Sequence, residues 1–250
     1  MGMPVVTVAA GGLPIVESTN GFGTPVTEAA SGRGVAVTKV IAPKPGLPVI
    51  FETIGIAPAF ATFDAAPSTA FITMSNGNLT VTKNTSTNSG TARSTAAKAS
   101  GKYYFEMTNT VKPTGSGDSL GLALTTTNDA NVQLGVTTVT VEPAGATFIF
   151  SNDINQSIDL GAGAAGNVYG FAIDLTNRLA WIRRSGGNWN GNVAANPATG
   201  ANGVVIGAGS FAPVVYLSNT VSGFCSVTAN FGASAFIGAV PSGFTAGWPP

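Results

Sequence analysis

The sequence contains no histidine, and its single cysteine is Cys225. Without histidine, the chain cannot form Ser–His or Cys–His nucleophile pairs or His-ligated zinc sites, and it lacks the usual general base at neutral pH. A single cysteine excludes an intrachain disulfide and any multi-cysteine metal site. We therefore expect no enzymatic activity, no cofactor and no metal, and we expect Cys225 to be a small buried residue on a strand.

Charged residues are also scarce. They make up 9% of the chain, with 11 basic and 11 acidic side chains, whereas an ordinary soluble domain has about a quarter. Duplex DNA and anionic membranes bind clustered basic residues, and the pair Arg183-Arg184 is too small for either, so no nucleic-acid partner is expected. A net charge of zero removes the self-repulsion that disperses monomers. This balance favours a homo-oligomer, with a trimer as one candidate form.

Long apolar runs and a leader sequence are missing as well. Residues 1–16 and 204–217 are nearly apolar but contain Gly and Pro, and both stretches are shorter than a bilayer span requires. The first basic residue is Arg33, so the N-terminus lacks the charged region of a secretory signal. The sequence therefore predicts no membrane insertion and synthesis in the cytoplasm.

Gly, Pro and Thr are abundant, with 33, 15 and 30 copies in 250 residues. Gly and Pro interrupt helices. Thr, together with Val, Phe, Tyr and Ile, fills the short runs between them, as is typical of half-buried strands. The predicted fold class is all-β, and the length suffices for one large sandwich core.

The first 55 residues contain four similar short units: Gly12–Glu17, Gly23–Glu28, Gly34–Lys39 and Gly46–Phe51. Three of them place Pro two residues after Gly, which predicts a short strand opened by a turn, because Pro cannot donate to a sheet ladder. Such strands bury too little surface to fold alone. We interpret residues 1–55 as an extended arm that docks on other subunits through Pro14, Pro25, Val37 and Pro48. Packing on its own domain and disorder are the alternatives.

The Ala- and Pro-rich residues 56–69 are interpreted as a linker, and residues 70–250 as an antiparallel β-sandwich. The predicted strands are 71–74, 79–82, 102–108, 120–125, 138–141, 146–150, 156–160, 168–174, 179–183, 214–217 and 225–231. The strands 168–174 and 179–183 are predicted to form a tight hairpin, with Asn177 in the left-handed conformation. Trp181 is expected in the core, and Trp248 is expected to cover its end.

The segments Gly101–Glu106, Gly170–Leu175 and Leu179–Ile182, followed by Asn230–Gly232 and Pro241–Phe244, resemble the SPRY-like, concanavalin-type jelly-roll sandwich. That family includes cellular adaptors and some bacteriophage structural proteins. The family's Asn-Gly turn is replaced here by Ser185-Gly186 and a long polar loop, so the adaptors' peptide binding is not carried over. The N-terminal repeats are similar to the arms of phage virion proteins.

Three sequence features partly match known nucleotide-binding, catalytic or metal-binding patterns. Gly161–Gly166 has the Gly-x-Gly-x-x-Gly spacing of dinucleotide sites, but a predicted strand follows it instead of the required helix. None of the 11 acids forms the close pair on one strand that glycoside hydrolysis needs. Asn152, Asp153 and Asn155 offer oxygen ligands to calcium, yet two or three such groups are typical of a plain turn.

The loop Ser185–Asn192 is the best candidate for recognition. In it, Trp189 is flanked by Asn188 and Asn190. The Trp ring could stack on a sugar while the two amides bind its hydroxyls. The alternative is a ring that folds back over the sandwich edge or meets a neighbouring subunit.

The leading functional hypothesis is a non-enzymatic bacteriophage virion protein, assembled in the host cytoplasm. Its arm would dock on other virion proteins, with capsid decoration or a head fibre as the first choice. A tail or baseplate fibre adhesin that binds a host surface glycan is the alternative. An intracellular SPRY-type peptide-binding adaptor is the third hypothesis.

Overall fold

The structure is a computed structural model, and it describes residues 5–8, 14–17, 37–40, 51–54, 60–64, 71–83, 88–111, 118–128, 138–142, 146–152, 154–218 and 225–250. The chain divides into two compact units, Met1–Ala59 and Phe60–Pro250. In the first unit the description covers the backbone of four strands. Among the described residues, no helix is long and apolar enough to cross a membrane.

The first unit contains two antiparallel strand pairs. β1 (Val5–Val8) pairs with β2 (Pro14–Glu17), and β3 (Val37–Val40) pairs with β4 (Phe51–Ile54). β2 lies within the first predicted repeat, β3 begins in the third, and β4 begins at the last residue of the fourth. Pro14 is the first residue of β2, where its missing N–H is tolerated. The other two proline positions of the predicted docking arm, Pro25 and Pro48, lie outside the described residues.

The second unit is an antiparallel β-sandwich, which confirms the predicted fold class. Its described strands are β5 (Ile72–Ser75), β6 (Thr80–Lys83), β7 (Gly90–Arg93), β8 (Lys102–Val111), β9 (Ser119–Leu124), β10 (Thr138–Glu142), β11 (Ala146–Ser151), β12 (Ile154–Ala162), β13 (Val168–Asp174), β14 (Leu179–Arg184), β15 (Val204–Val205), β16 (Phe211–Leu217), β17 (Ser226–Asn230) and β18 (Thr245–Ala246).

These strands form two sheets. The smaller sheet has the order β12-β11-β10-β9-β16-β7. The larger has the order β15-β14-β13-β8-β17-β6-β5, and β18 adds to β8 in parallel. Because β9 pairs with β16 and β8 pairs with β17, strands far apart in the sequence become neighbours at the centre of each sheet.

The core between the sheets is centred on two aromatic rings. Phe105 of β8 lies opposite Phe171 of β13 in register, and the rings stack with centroids 4.9 Å apart and planes 7° apart. Phe231 and Trp248 pack against Phe105, with ring centroids at 5.8 and 5.7 Å. Large buried aromatic rings contribute much of the apolar area that stabilises such a core. Trp248, which was expected to cover the end of the core, is fully buried within it.

A second apolar layer covers the outer face of the larger sheet. All seven residues of β13 are buried, instead of every second one. On this outer face Tyr104, Ala172 and Trp181 pack with Ala195 and Phe244, which belong to segments that follow β14 and β17. Both faces of the central strands are therefore apolar, which explains why their sequences do not alternate.

Glu106 fastens the C-terminal segment, residues 231–250, to this outer face. Its carboxylate is 3% exposed. It accepts hydrogen bonds from the Tyr104 hydroxyl (2.6 Å) and from the backbone N–H groups of Ile237 (2.9 Å) and Gly238 (2.7 Å). Burial raises the pKa of the Tyr104 hydroxyl above its usual range, and the hydrogen bond to Glu106 raises it further. The phenol therefore remains a donor at all physiological pH values.

Residues 60–64 pack with the sandwich, although the sequence suggested a linker over 56–69. Phe63 is fully buried and meets the Phe231 ring edge-on at 5.3 Å. The N–H of Ala61 donates to the carbonyl of Trp248 at 2.8 Å. These partners are far away in the sequence, so the local Ala- and Pro-rich composition gave no sign of them.

Three strands lie outside the predicted set: β7, β15 and β18. β7 reads Gly-Thr-Ala-Arg, which lacks the alternating β-branched or aromatic residues of a strand. It is extended because it pairs with Val214–Leu217 of β16. β15 and β18 have two residues each and are likewise ordered by pairing with β14 and β8.

The β13–β14 hairpin lies where it was predicted, but its left-handed residue differs. Arg178 has the positive φ of 59°, whereas Asn177 had been assigned that role. Asn177 instead donates its backbone N–H and its side-chain amide to the Asp174 carboxylate, at 2.9 and 2.7 Å. The guanidinium of Arg178 donates to the carbonyls of Gly209 and Ala99 at 2.9 and 3.1 Å. These bonds offset the strain of its backbone.

We predict that Asp174 makes folding stability depend on acid pH. Burial raises the pKa of this carboxyl, but hydrogen bonds from Asn177 and the Lys102 ammonium, 3.0 Å away, outweigh it and hold the pKa below its usual value. Such a group stabilises the fold above its unfolded pKa of about 3.9, and this contribution is lost as the pH falls through the lower folded pKa. Asp174→Asn should cost about 1–2 kcal/mol in urea unfolding at pH 7.

The difference between wild type and Asp174→Asn should narrow as the pH falls below about 4. Asp159→Asn is the control, because this exposed carboxylate accepts a single backbone hydrogen bond that an amide oxygen can also accept. A difference for Asp174→Asn that stays constant from pH 7 to pH 2.5 would contradict the assignment.

Candidate functional site

The polar loop 185–203 begins at a tight turn at the end of β14. The Gly187 N–H donates to the Arg184 carbonyl at 2.9 Å. Gly186 between them has a φ of 82°, a conformation that glycine adopts without strain. The turn leads through Asn188 into a 3₁₀ turn at Trp189–Gly191. The loop therefore folds back against the sheet that it leaves.

Trp189 packs on the outer face of the larger sheet. Its ring lies beneath the Arg183 guanidinium, whose central carbon is 4.1 Å from the ring centroid. The Tyr104 ring meets it edge-on, with centroids 6.3 Å apart. The ring is half-buried, and its contacts are those of the folded-back arrangement that stood as the alternative to a ligand-facing ring.

Asn190 is an internal fastener of the loop. It is 5% exposed. Its side-chain oxygen accepts the Ile182 N–H at 2.8 Å, and its amide donates to the carbonyls of Ala180 and Asn202 at 3.3 and 3.0 Å. Its φ of 48° lies in the left-handed region, which Asn tolerates better than most residues. Composition gave no sign of this role, because a buried Asn and an exposed Asn look alike in a polar loop.

Asn188 is the member of the predicted trio whose side chain faces solvent. It is exposed, and its side chain makes no capping hydrogen bond to the turn that follows. The trio thus lies together in the chain but not on one surface. A ligand at this loop would meet Asn188 and the preceding turn.

A polar groove of about 330 Å³ lies beside this turn. It is lined by Asp159 and Leu160 of β12, by Arg184, Ser185, Gly186, Gly187 and Asn188, and by Gly191 of the 3₁₀ turn. Asp159 and Arg184 reach it from the smaller and the larger sheet, respectively. Sequence analysis missed both residues, since only the folding of the loop onto β12 brings them together.

The other candidate residues that the sequence offered either belong to ordinary turns and strands or lie outside the described residues. Asn155 accepts the Ser157 N–H at 2.8 Å in an Asx turn, while Asp153 lies outside the described residues. Gly161–Gly166 begins at the end of β12 and leads into β13 rather than a helix. Within the described ranges, no three His, Cys, Asp or Glu side chains lie close enough to hold an ion together.

Cys225 is fully buried, as expected, but it lies one residue before β17 instead of on a strand. Burial raises the pKa of its thiol to about 12, and the neighbouring Asp118 carboxylate adds to the increase. A thiol with such a pKa remains protonated at neutral pH and is a poor nucleophile. Cys225 therefore serves as a packing residue and not as a reactive thiol.

We predict that the buried amide of Asn190, and not the exposed amide of Asn188, stabilises the fold. Asn190→Ala leaves the Ile182 N–H without its acceptor and puts alanine in a left-handed conformation. It should lower the free energy of unfolding by about 2–4 kcal/mol. Asn188→Ala is the matched control and should stay within about 0.5 kcal/mol of wild type. Urea titration measures both, and equal stabilities would refute the fastening role.

No protein-family model matches the sequence, and no curated protein matches it. Among solved structures, it is similar to the SPRY domain of human HERC1, with a TM-score of 0.48 and 15% identity over 63% of this chain and 91% of that one. It is also similar to the TRIM65 PSpry domain, with a TM-score of 0.47 and 13% identity over 68% of this chain and 92% of that one. A third match is stonustoxin, with a TM-score of 0.43 and 11% identity over 68% of this chain and 27% of that one. A shared fold does not carry function.

Proposed function

We propose that this chain is a non-enzymatic structural protein of a bacteriophage particle, docked by its N-terminal repeats and displaying its sandwich. The observation that carries the proposal is the strand pairing of the first unit. Its described strands have four residues each and pair only two by two. An isolated two-stranded sheet of this size is marginally stable in water.

A two-stranded sheet gains stability when a further surface or strand covers it. Each described pair has two outer edges of backbone N–H and C=O groups, and such edges take up additional strands. A virion protein that these short strands line would supply both the missing hydrogen bonds and the buried area. This supports docking of residues 1–55 on other virion proteins, with Pro14 and Val37 in the participating strands.

The second unit has properties that suit display in many copies. Its core aromatic residues are buried, and the chain has no net charge. A neutral sandwich can be crowded on a particle without mutual repulsion between copies. Capsid decoration or a head fibre is the first choice of position, with assembly in the host cytoplasm and a homo-oligomer, such as a trimer, as the displayed form.

A tail or baseplate adhesin is the second candidate function, and the polar groove beside the loop favours it. In that case the same arm would dock at the tail. The intracellular adaptor hypothesis differs from both, because it requires neither a particle nor a docking arm.

We predict that deletion of residues 1–55 abolishes incorporation into particles while the sandwich remains folded. Phe60–Pro250 is a compact unit by itself, so circular dichroism and thermal melting should retain a cooperative transition. Incorporation is measured by quantitative blotting of purified particles. Wild-type occupancy by the truncated protein would disprove docking through the arm.

We also predict that residues 1–55 are sufficient for docking. Fused to an unrelated soluble monomer, they should bring it onto particles that lack the wild-type protein. A fusion with the segment 56–110 in their place is the length-matched control. A well-dispersed monomer that never associates with particles, with or without the arm, would favour the adaptor hypothesis.

A further inference from the structure

The groove beside the β14 turn contains two opposite charges that do not pair with each other. Asp159 is exposed near the end of β12, and Arg184 ends β14. Both line the groove, yet no ion pair or hydrogen bond joins them in the described structure. Each of the two charged groups bonds to a different backbone group instead.

Each of these side chains is held in place by one backbone group. Asp159 accepts the Gly161 N–H through Oδ1 at 2.7 Å. Arg184 donates through Nη1 to the Ala162 carbonyl at 2.7 Å. The second carboxylate oxygen and the remaining guanidinium N–H groups keep their capacity for further hydrogen bonds. Fixing such side chains in advance lowers the ordering cost of binding a ligand.

The rest of the groove adds neutral polar groups. Ser185 and Asn188 are exposed and offer a hydroxyl and an amide. Three glycines, Gly186, Gly187 and Gly191, leave the backbone uncovered, so a ligand can approach it closely. Leu160, which is 9% exposed, contributes the one apolar side chain of the lining.

We propose that this groove binds an uncharged saccharide at the end of a host surface polysaccharide. Neighbouring sugar hydroxyls both donate and accept hydrogen bonds, which matches a wall that offers a carboxylate, a guanidinium and an amide together. Asp159 and Arg184 carry opposite charges, so the groove has no net charge that would favour an anionic or a cationic ligand. A volume of about 330 Å³ is at the small end for ligand sites, suited to one or two sugar rings.

The host surface as the source of the saccharide rests on the proposed virion function, but the groove is lined by residues 159–191 and not by the docking arm, so saccharide binding and docking can each fail without the other. The test uses the full-length protein on an array of neutral oligosaccharides ending in glucose, galactose, mannose or rhamnose, with sialylated and phosphorylated oligosaccharides beside them. We expect at least one neutral probe to bind with a submillimolar Kd. The double variant Asp159→Asn/Asn188→Ala should weaken that binding at least tenfold and leave the melting temperature unchanged.

A second pair of variants tests the position of the site. Gly186 and Gly200 have φ values of 82° and 78°, and an added Cβ meets nothing within 4 Å at either. Asn tolerates this conformation, so both Gly→Asn variants should fold, but only Gly186 lines the groove. Gly186→Asn should weaken the bound neutral probe severalfold, and Gly200→Asn should bind it as wild type does.

Three results would overturn the proposal: no neutral probe bound at millimolar concentration, binding confined to the charged probes, or unchanged affinity in both Asp159→Asn/Asn188→Ala and Gly186→Asn. Incorporation into particles should be at the wild-type level in every groove variant. A groove variant that binds no sugar but still docks separates this site from the arm.

Discussion

The buried carboxylate of Glu106 is the constraint on which the outer half of the sandwich depends. A carboxylate that is 3% exposed costs several kcal/mol unless it is hydrogen-bonded. Two of its three donors are backbone N–H groups of the C-terminal segment, which fixes where that segment crosses the sheet. The fit is tight, because a Cβ on Gly238 would lie 2.7 Å from the Tyr104 hydroxyl oxygen. Only glycine brings the backbone close enough.

The position of the C-terminal segment determines the layer beneath it. With that segment in place, Phe244 meets Trp181 edge-on at 6.4 Å. The Arg183 guanidinium donates to the Ala239 carbonyl at 3.0 Å and lies over the Trp189 ring. The loop is thus held at two residues: Trp189 packs under Arg183, and Asn190 is hydrogen-bonded to the backbone of β14. The groove at its base owes its shape to these two fastenings and not to the loop's own composition.

This arrangement separates two tasks. The sandwich provides a rigid frame, because buried side chains pack on both faces of β13. The polar groups that stay free lie on turns at the edge of the sandwich, and these turns need no side-chain packing of their own. The first unit has short strand pairs that suit attachment to a larger surface. Under the proposed virion function, a displayed domain and an attachment segment can change independently.

Much of the fold could be predicted from the sequence because the signals are local. Strands 102–108 and 168–174 were recognised from β-branched and aromatic residues between Gly and Pro breaks, and the structure has them as β8 and β13. Trp181 was predicted as a core residue and Trp248 as a cover over the end of the core, and both rings are fully buried, since large apolar rings leave water. The absence of His and the single Cys exclude histidine-dependent nucleophile pairs and an intrachain disulfide from the sequence alone.

Other features depend on partners that only the tertiary structure supplies. Phe63 joins the core because Phe231 lies beside it, and β7 is a strand because β16 pairs with it. Trp189 contacts Tyr104 and Arg183, and Asn190 bonds to β14, contacts that the composition of a polar loop does not reveal. The groove combines Asp159 and Arg184 from two different sheets. The sequence by itself determined most of the strands, such as β8 and β13, because their formation follows the local residue pattern, whereas β7 depends on its pairing with β16. The tertiary structure decided which polar groups remain free, because that depends on contacts between distant segments.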